Sequence, residues 1–150
     1  MTEPDHDAAR LARIEAVLPG RWDRDALRAG ASVCLVLAVP FRVIAALVGG
    51  DSGGLNALFF VLFLAFFVIG AGCAAWVQRA GTPMSHALVT ALGSYVVSEV
   101  AFTVVRLVRG TEIPWGSIPL VASMVSLCGV IGGFLGNRLQ IAGMRPSTQR

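Results

Sequence analysis

Four long stretches of apolar residues constrain this chain more than any other feature of its sequence. They cover residues 29–48, 55–77, 85–107 and 117–137. A helix needs about 20 apolar residues to cross the roughly 30 Å hydrocarbon core of a bilayer, and each stretch has that length. The stretches are continuous rather than alternating, which argues against a membrane-spanning β-barrel. The sequence therefore predicts an all-α, integral membrane four-helix bundle.

Composition supports this class and one membrane domain. The chain has 150 residues, of which 55% are hydrophobic and 14% are charged, whereas about 25% of the residues in a soluble domain are charged. Short loops rich in glycine and proline separate the four stretches, so consecutive helices are expected to be antiparallel neighbours. We predict a cytosolic segment over residues 1–28, the four-helix domain over 29–139 and a cytosolic tail over 140–150.

The N-terminal segment has its own helical pattern. Leu11, Ile14 and Leu18 recur at helical spacing, with Arg10 and Arg13 on the opposite side. This pattern predicts a short amphipathic helix, which either lies on the cytosolic face of the membrane or is a solvated tail.

Arginine placement predicts the orientation. All 12 basic residues are arginine, and they are scattered rather than clustered, so nucleic acid is not expected as a partner. Basic residues accumulate on the cytoplasmic side of membrane proteins. With both termini in the cytoplasm of a plasma (inner) membrane, only Arg106 and Arg109 lie outside and Arg42 lies within the bilayer. The remaining arginines lie inside: Arg10, Arg13, Arg21, Arg24, Arg28, Arg79, Arg138, Arg145 and Arg150.

Two charged residues lie deep inside the predicted spans. Arg42 lies in the first span and Glu99 in the third, and both spans run in the same direction. At 1.5 Å per residue both charges lie about 20 Å from the cytoplasmic end. A lone charge at the centre of a bilayer costs about 2.5–3.5 kcal/mol, so we predict that the two side chains pair.

Two further residues complete this candidate charge site. Tyr95 is a candidate hydrogen-bond partner of the pair, and Arg106 is a competing partner for Glu99 because it is seven residues on and nearly on the same face. One interpretation is an ion pair that fixes helix register. The other is an ion or proton site, or a counter-ion for a substrate.

Small residues supply each span with a packing face. In the fourth span Gly129 and Gly133, and Gly132 and Gly136, form overlapping pairs four residues apart. Membrane helices associate through such small residues, because lipid tails are as apolar as leucine. The pattern predicts either tight packing within one bundle or a homodimer formed through this glycine face.

No motif points to an enzyme, a metal or a cofactor. The sequence around Ser52 matches the nucleophile region of chymotrypsin-like proteases, but the only upstream histidine is His6, which is predicted on the other side of the membrane. We expect no enzymatic activity and no cofactor. Two functions remain: an accessory or scaffold protein that packs with itself or another membrane protein, or a small dimeric channel or transporter that uses Arg42 and Glu99.

Overall fold

Four long helices make up the fold in a computed structural model, which describes residues 22–48, 50 and 52–144. They are α1 (Arg24–Val48), α2 (Gly53–Val77), α3 (Pro83–Arg109) and α4 (Ser117–Ile141). Each helix is long and apolar enough to cross a membrane. The predicted all-α four-helix bundle is confirmed, and the chain is a small multi-pass membrane protein. The predicted amphipathic helix near the N-terminus lies outside the described residues.

The helices extend beyond the predicted apolar stretches, and α1 shows why. It begins five positions earlier than predicted, at Arg24, because Asp23 caps its first turn. The Asp23 Oδ1 atom accepts the backbone N–H of Ala26 at 3.1 Å. Side-chain oxygens that accept N–H groups in the first turn stabilise a helix start. The start of α1 is therefore set by a polar capping residue rather than by the beginning of the apolar stretch.

The bundle has two central and two flanking helices. In the described part of the chain α1 and α4 each pack on both α2 and α3, which also touch one another, whereas α1 and α4 share no packing interface. Consecutive helices are antiparallel. We call the end where α1 and α3 begin the His86 end, and the end where they finish the Glu99 end.

Small residues form the centre of the bundle and large apolar residues cover its outside. The fully buried apolar residues are mostly alanine, including Ala26, Ala71 and Ala91, while Val36, Leu47 and other large side chains are exposed. A soluble protein has the opposite distribution, because it hides large apolar side chains from water. The arrangement fits a bundle whose outer surface meets lipid and whose helices associate by close approach.

α1 and α3 run parallel and in register. Gly30 packs against Thr90, and the Arg42 guanidinium stacks on Phe102. Both pairs are separated by 60 positions in the sequence. The residues on the buried face of α1 are small. The residues of α3 that face them are also buried, but they are polar and recur every four positions: His86, Thr90, Ser94 and Ser98.

The glycines of α4 are used within the bundle. A Cβ atom on Gly132 would lie 2.5 Å from the carbonyl oxygen of Val68 in α2, and Gly136 meets the Gly72 carbonyl in the same way. Gly129 and Gly133 pack instead against the alanines of α3. The hypothesis that this glycine face forms a homodimer is therefore wrong, because α2 and α3 already cover it.

Candidate functional site

An ion pair joins α1 to α3 near the Glu99 end. Nη1 of Arg42 lies 2.6 Å from Oε2 of Glu99. The Glu99 side chain is 9% exposed and that of Arg42 is 25% exposed. The helix rise places Arg42 about 27 Å along α1 and Glu99 about 24 Å along α3. The two positions lie within one helical turn of the same depth on parallel helices, which lets the two side chains meet, as the sequence predicts.

A second cation flanks the same carboxylate. Nη1 of Arg106 lies 3.5 Å from Oε1 of Glu99, the carboxylate oxygen that Arg42 does not contact. Arg106 does not displace Arg42, because the two guanidiniums take different carboxylate oxygens. One carboxylate between two guanidiniums leaves this cluster of Arg42, Glu99 and Arg106 with a net charge of +1.

Aromatic rings hold the Arg42 guanidinium in place. Its central carbon lies 4.4 Å from the centroid of the Phe102 ring and 5.9 Å from that of Phe63. Cations are attracted to ring faces, and more strongly where water is excluded. Phe102 lies one turn beyond Glu99 on α3, so this helix supplies both the anion and a ring for the same arginine.

Tyr95 does not join the charge cluster, which corrects the expectation for this residue. Its hydroxyl donates to the backbone carbonyl of Ile118 in α4 at 3.0 Å. The tyrosine side chain is buried and points across the bundle from α3 to α4. Its hydrogen bond ties together two helices that the ion pair does not join.

A cavity of about 250 Å³ opens beside the ion pair and is lined by all four helices. Arg42 and Glu99 form part of its wall, with Asn56 and Ser117 as further polar residues. Much of the remaining wall consists of aromatic rings, contributed by α1, α2 and α3: Phe41, Phe59, Phe60, Phe63 and Tyr95. We call this cavity the chamber.

A polar network closes the opposite end of the bundle, and sequence reasoning missed it. His86 is fully buried, its Nε2 accepts the backbone N–H of Asp23 at 2.8 Å, and its Nδ1 lies 2.9 Å from the Thr82 carbonyl. Nε2 must be unprotonated to accept, so Nδ1 carries the proton that is donated to Thr82. Oδ2 of Asp23 accepts the backbone N–H of Arg79 at 3.0 Å. This network links the start of α1 to the α2–α3 loop.

A glutamine pair extends this closure to α4. Nε2 of Gln140 donates to the carbonyls of Trp76 and Gln78, at 2.8 Å and 2.9 Å. Nε2 of Gln78 donates in turn to Oε1 of Gln140 at 3.3 Å. The backbone carbonyls at the end of α2 have no N–H donors from a following helical turn. The Gln140 side chain supplies donors to two of these carbonyls.

The described residues contain no group of three histidine, cysteine, aspartate or glutamate side chains that could hold a metal ion. No protein-family model, curated protein or solved structure matches the chain. The features of the described residues that bear on function are therefore the chamber, the charge cluster and the closed His86 end.

Proposed function

We propose that the chain is a small, non-enzymatic accessory protein of the plasma membrane that binds its partner or ligand through a chamber closed at one end. The packing of the His86 end supports this proposal. A Cβ atom on Gly30 would lie 2.7 Å from the Gly70 carbonyl oxygen, so the α1 and α2 backbones are in contact there. Backbones in contact leave no width for a file of water or ions along the helix axes.

The orientation decides which side the chamber serves. The excess of arginine near the chain termini favours cytoplasmic termini, and the Glu99 end then faces outward. A chamber at that end takes its occupant from the outer side or from the outer leaflet. The His86 end, with its hydrogen-bonded loop and helix termini, then forms the cytoplasmic seal.

One observation favours the second candidate function, a small dimeric channel or transporter. Arg42 and Glu99 line a cavity, whereas an ion pair that only fixes register needs none. Intramembrane charges that face a cavity commonly belong to ion or substrate pathways. In that case the seal at the His86 end must open during transport.

Two valines on the same face of α4 give a matched test. Val121 lines the chamber, and Val125, one turn further along the helix, is fully buried. Each is replaced by cysteine in a chain whose native cysteines, Cys34, Cys73 and Cys128, are changed to alanine. A membrane-impermeant thiol reagent is then applied to either side of sealed vesicles.

The accessory function predicts that Val121→Cys is labelled from one side only and that Val125→Cys is labelled from neither. Proteoliposomes should then show no flux of protons, alkali cations or chloride above that of empty vesicles. Labelling of Val125→Cys from both sides, or a flux that Glu99→Gln abolishes in an assembled bundle, would overturn the accessory function and establish the second candidate.

A further inference from the structure

The charge cluster carries an excess positive charge that the described residues do not neutralise. Arg42 and Arg106 share the single carboxylate of Glu99. A net charge in a low-dielectric site is costly, and proteins reduce that cost by pairing it. An anion that carries one charge would neutralise this cluster.

The Arg42 guanidinium has donors left for such an anion. An arginine offers five N–H donors, and among the described residues Glu99 is the one acceptor that Arg42 bonds, through Nη1. The rings of Phe102 and Phe63 lie within cation–π distance of the guanidinium. Carboxylate and phosphate groups match the fork of remaining N–H groups along the guanidinium edge.

The chamber wall indicates the rest of the ligand. Phe41 packs edge-on against Phe59, with ring centroids 5.2 Å apart, and both rings line the cavity with Phe60 and Phe63. A wall of this kind takes an apolar or aromatic body. The volume of about 250 Å³ is below the roughly 300–1,000 Å³ of drug-sized pockets, so the enclosed part of the ligand is small.

We propose that the chamber binds a monoanion with an apolar body, its carboxylate or phosphodiester group on Arg42 and its body against the phenylalanine rings. This inference rests on the chamber function proposed above. Aromatic rings beside a carboxylate also resemble an organic-cation site. Here Glu99 is already neutralised by two arginines, and the net charge of the cluster repels a cation.

The test compares three ligands of nearly equal size and different charge: benzoate, benzamide and benzylammonium. Thermal unfolding of the purified full chain is followed in a non-ionic detergent and in nanodiscs of zwitterionic lipid. Benzoate is expected to raise the unfolding temperature in a saturable, concentration-dependent way, while the neutral and cationic analogues do not.

Two variants of equal charge change give the control. Arg42→Gln should weaken benzoate binding about tenfold or more, because it removes a charge-assisted hydrogen bond. Arg109→Gln removes the same charge from an exposed position on α3, outside the cluster, and should leave the affinity within about twofold. If Arg42→Gln does not fold, Arg106→Gln replaces it and should weaken binding several-fold.

A second arm separates a free anion from a lipid headgroup. The benzoate titration is repeated in nanodiscs that contain phosphatidylglycerol. Competition with benzoate there identifies a lipid phosphodiester as the occupant, whereas unchanged binding identifies a free anion; both results support the inference. Equal shifts with benzylammonium or benzamide, or no benzoate binding in detergent and zwitterionic nanodiscs, overturn it. One-sided labelling of Val121→Cys with no anion binding overturns this inference alone and leaves the accessory function standing.

Discussion

The backbone N–H of Asp23 donates to Nε2 of His86 over 2.8 Å, at the opposite end of the α1–α3 interface from the Arg42–Glu99 pair. The two parallel helices are thus fastened by a polar contact at each end. Between the contacts, small residues of α1 face buried hydroxyls of α3. Such contacts supply specificity that apolar packing alone lacks, because lipid competes for apolar surfaces.

Replacing His86 should destabilise the bundle more than any neighbouring substitution at this end. His86→Ala removes a fully buried ring and leaves the Asp23 N–H without its acceptor. A buried donor without a partner and the new cavity together cost about 2–4 kcal/mol. Unfolding of the purified protein in detergent measures this loss. Ser85→Ala, at an exposed neighbouring position, is the control, and equal stability of the two variants would contradict the role given to His86.

The ion pair should show energetic coupling in a double-mutant cycle. Arg42→Met and Glu99→Gln are each expected to cost about 2–4 kcal/mol, somewhat less than for a fully buried pair, because Arg42 is 25% exposed. Glu99→Gln should cost more, since it leaves two cations unpaired, whereas Arg42→Met leaves Glu99 with Arg106. The double variant should lose less than the sum of the two, by about 1–3 kcal/mol. Strict additivity would show that the pair is not coupled.

The parts of this structure that depend on distance along a helix were predictable from the sequence. The lengths of the apolar stretches predict four spans. A fixed rise per residue places Arg42 and Glu99 at similar depths, where pairing costs less free energy than leaving each charge alone in the bilayer. Periodicity also identifies the small-residue faces. These inferences need no knowledge of which helices are neighbours.

The parts that depend on neighbours were not predictable. Gly132 faces α2 and Gly129 faces α3, and periodicity shows a glycine face without showing what covers it. Tyr95 lies one turn before Glu99, yet it bonds a carbonyl of α4 that has no side-chain signature. His86 reads as an interface residue at a helix start, because its acceptor role depends on a backbone N–H 63 positions away.

The close contacts that the α4 glycines make should not tolerate the addition of even a single methyl group. Gly132→Ala places a Cβ 2.5 Å from the Val68 carbonyl, and backbone is the neighbour that yields least. Overpacking of this kind costs about 1–3 kcal/mol. Gly93→Ala is the matched control, since Gly93 lies in α3 with nothing within 4 Å of its added Cβ. This control should be neutral or stabilising by up to about 1 kcal/mol, because alanine favours helix over glycine.

The comparison is made by thermal unfolding of both glycine variants under one detergent condition. A lower unfolding temperature for Gly132→Ala and an equal or higher one for Gly93→Ala are expected. If Gly132→Ala were as stable as the parent, the close approach of α4 to α2 would be wrong, and the glycine face would again be open to a second copy.

Loop accessibility should reveal an outward-facing Glu99 end. The arginines near the two termini outnumber Arg106 and Arg109, and basic loops are retained in the cytoplasm. Single cysteines replacing Ser52 and Glu112 should react with an impermeant reagent added to intact cells, whereas one replacing Ala80 should react only after lysis. Each cysteine substitution is made in the chain that lacks the native cysteines. None of these substitutions changes the number of arginines. A cysteine at position 52 that reacts only after lysis would invert the orientation and place the chamber on the cytoplasmic side.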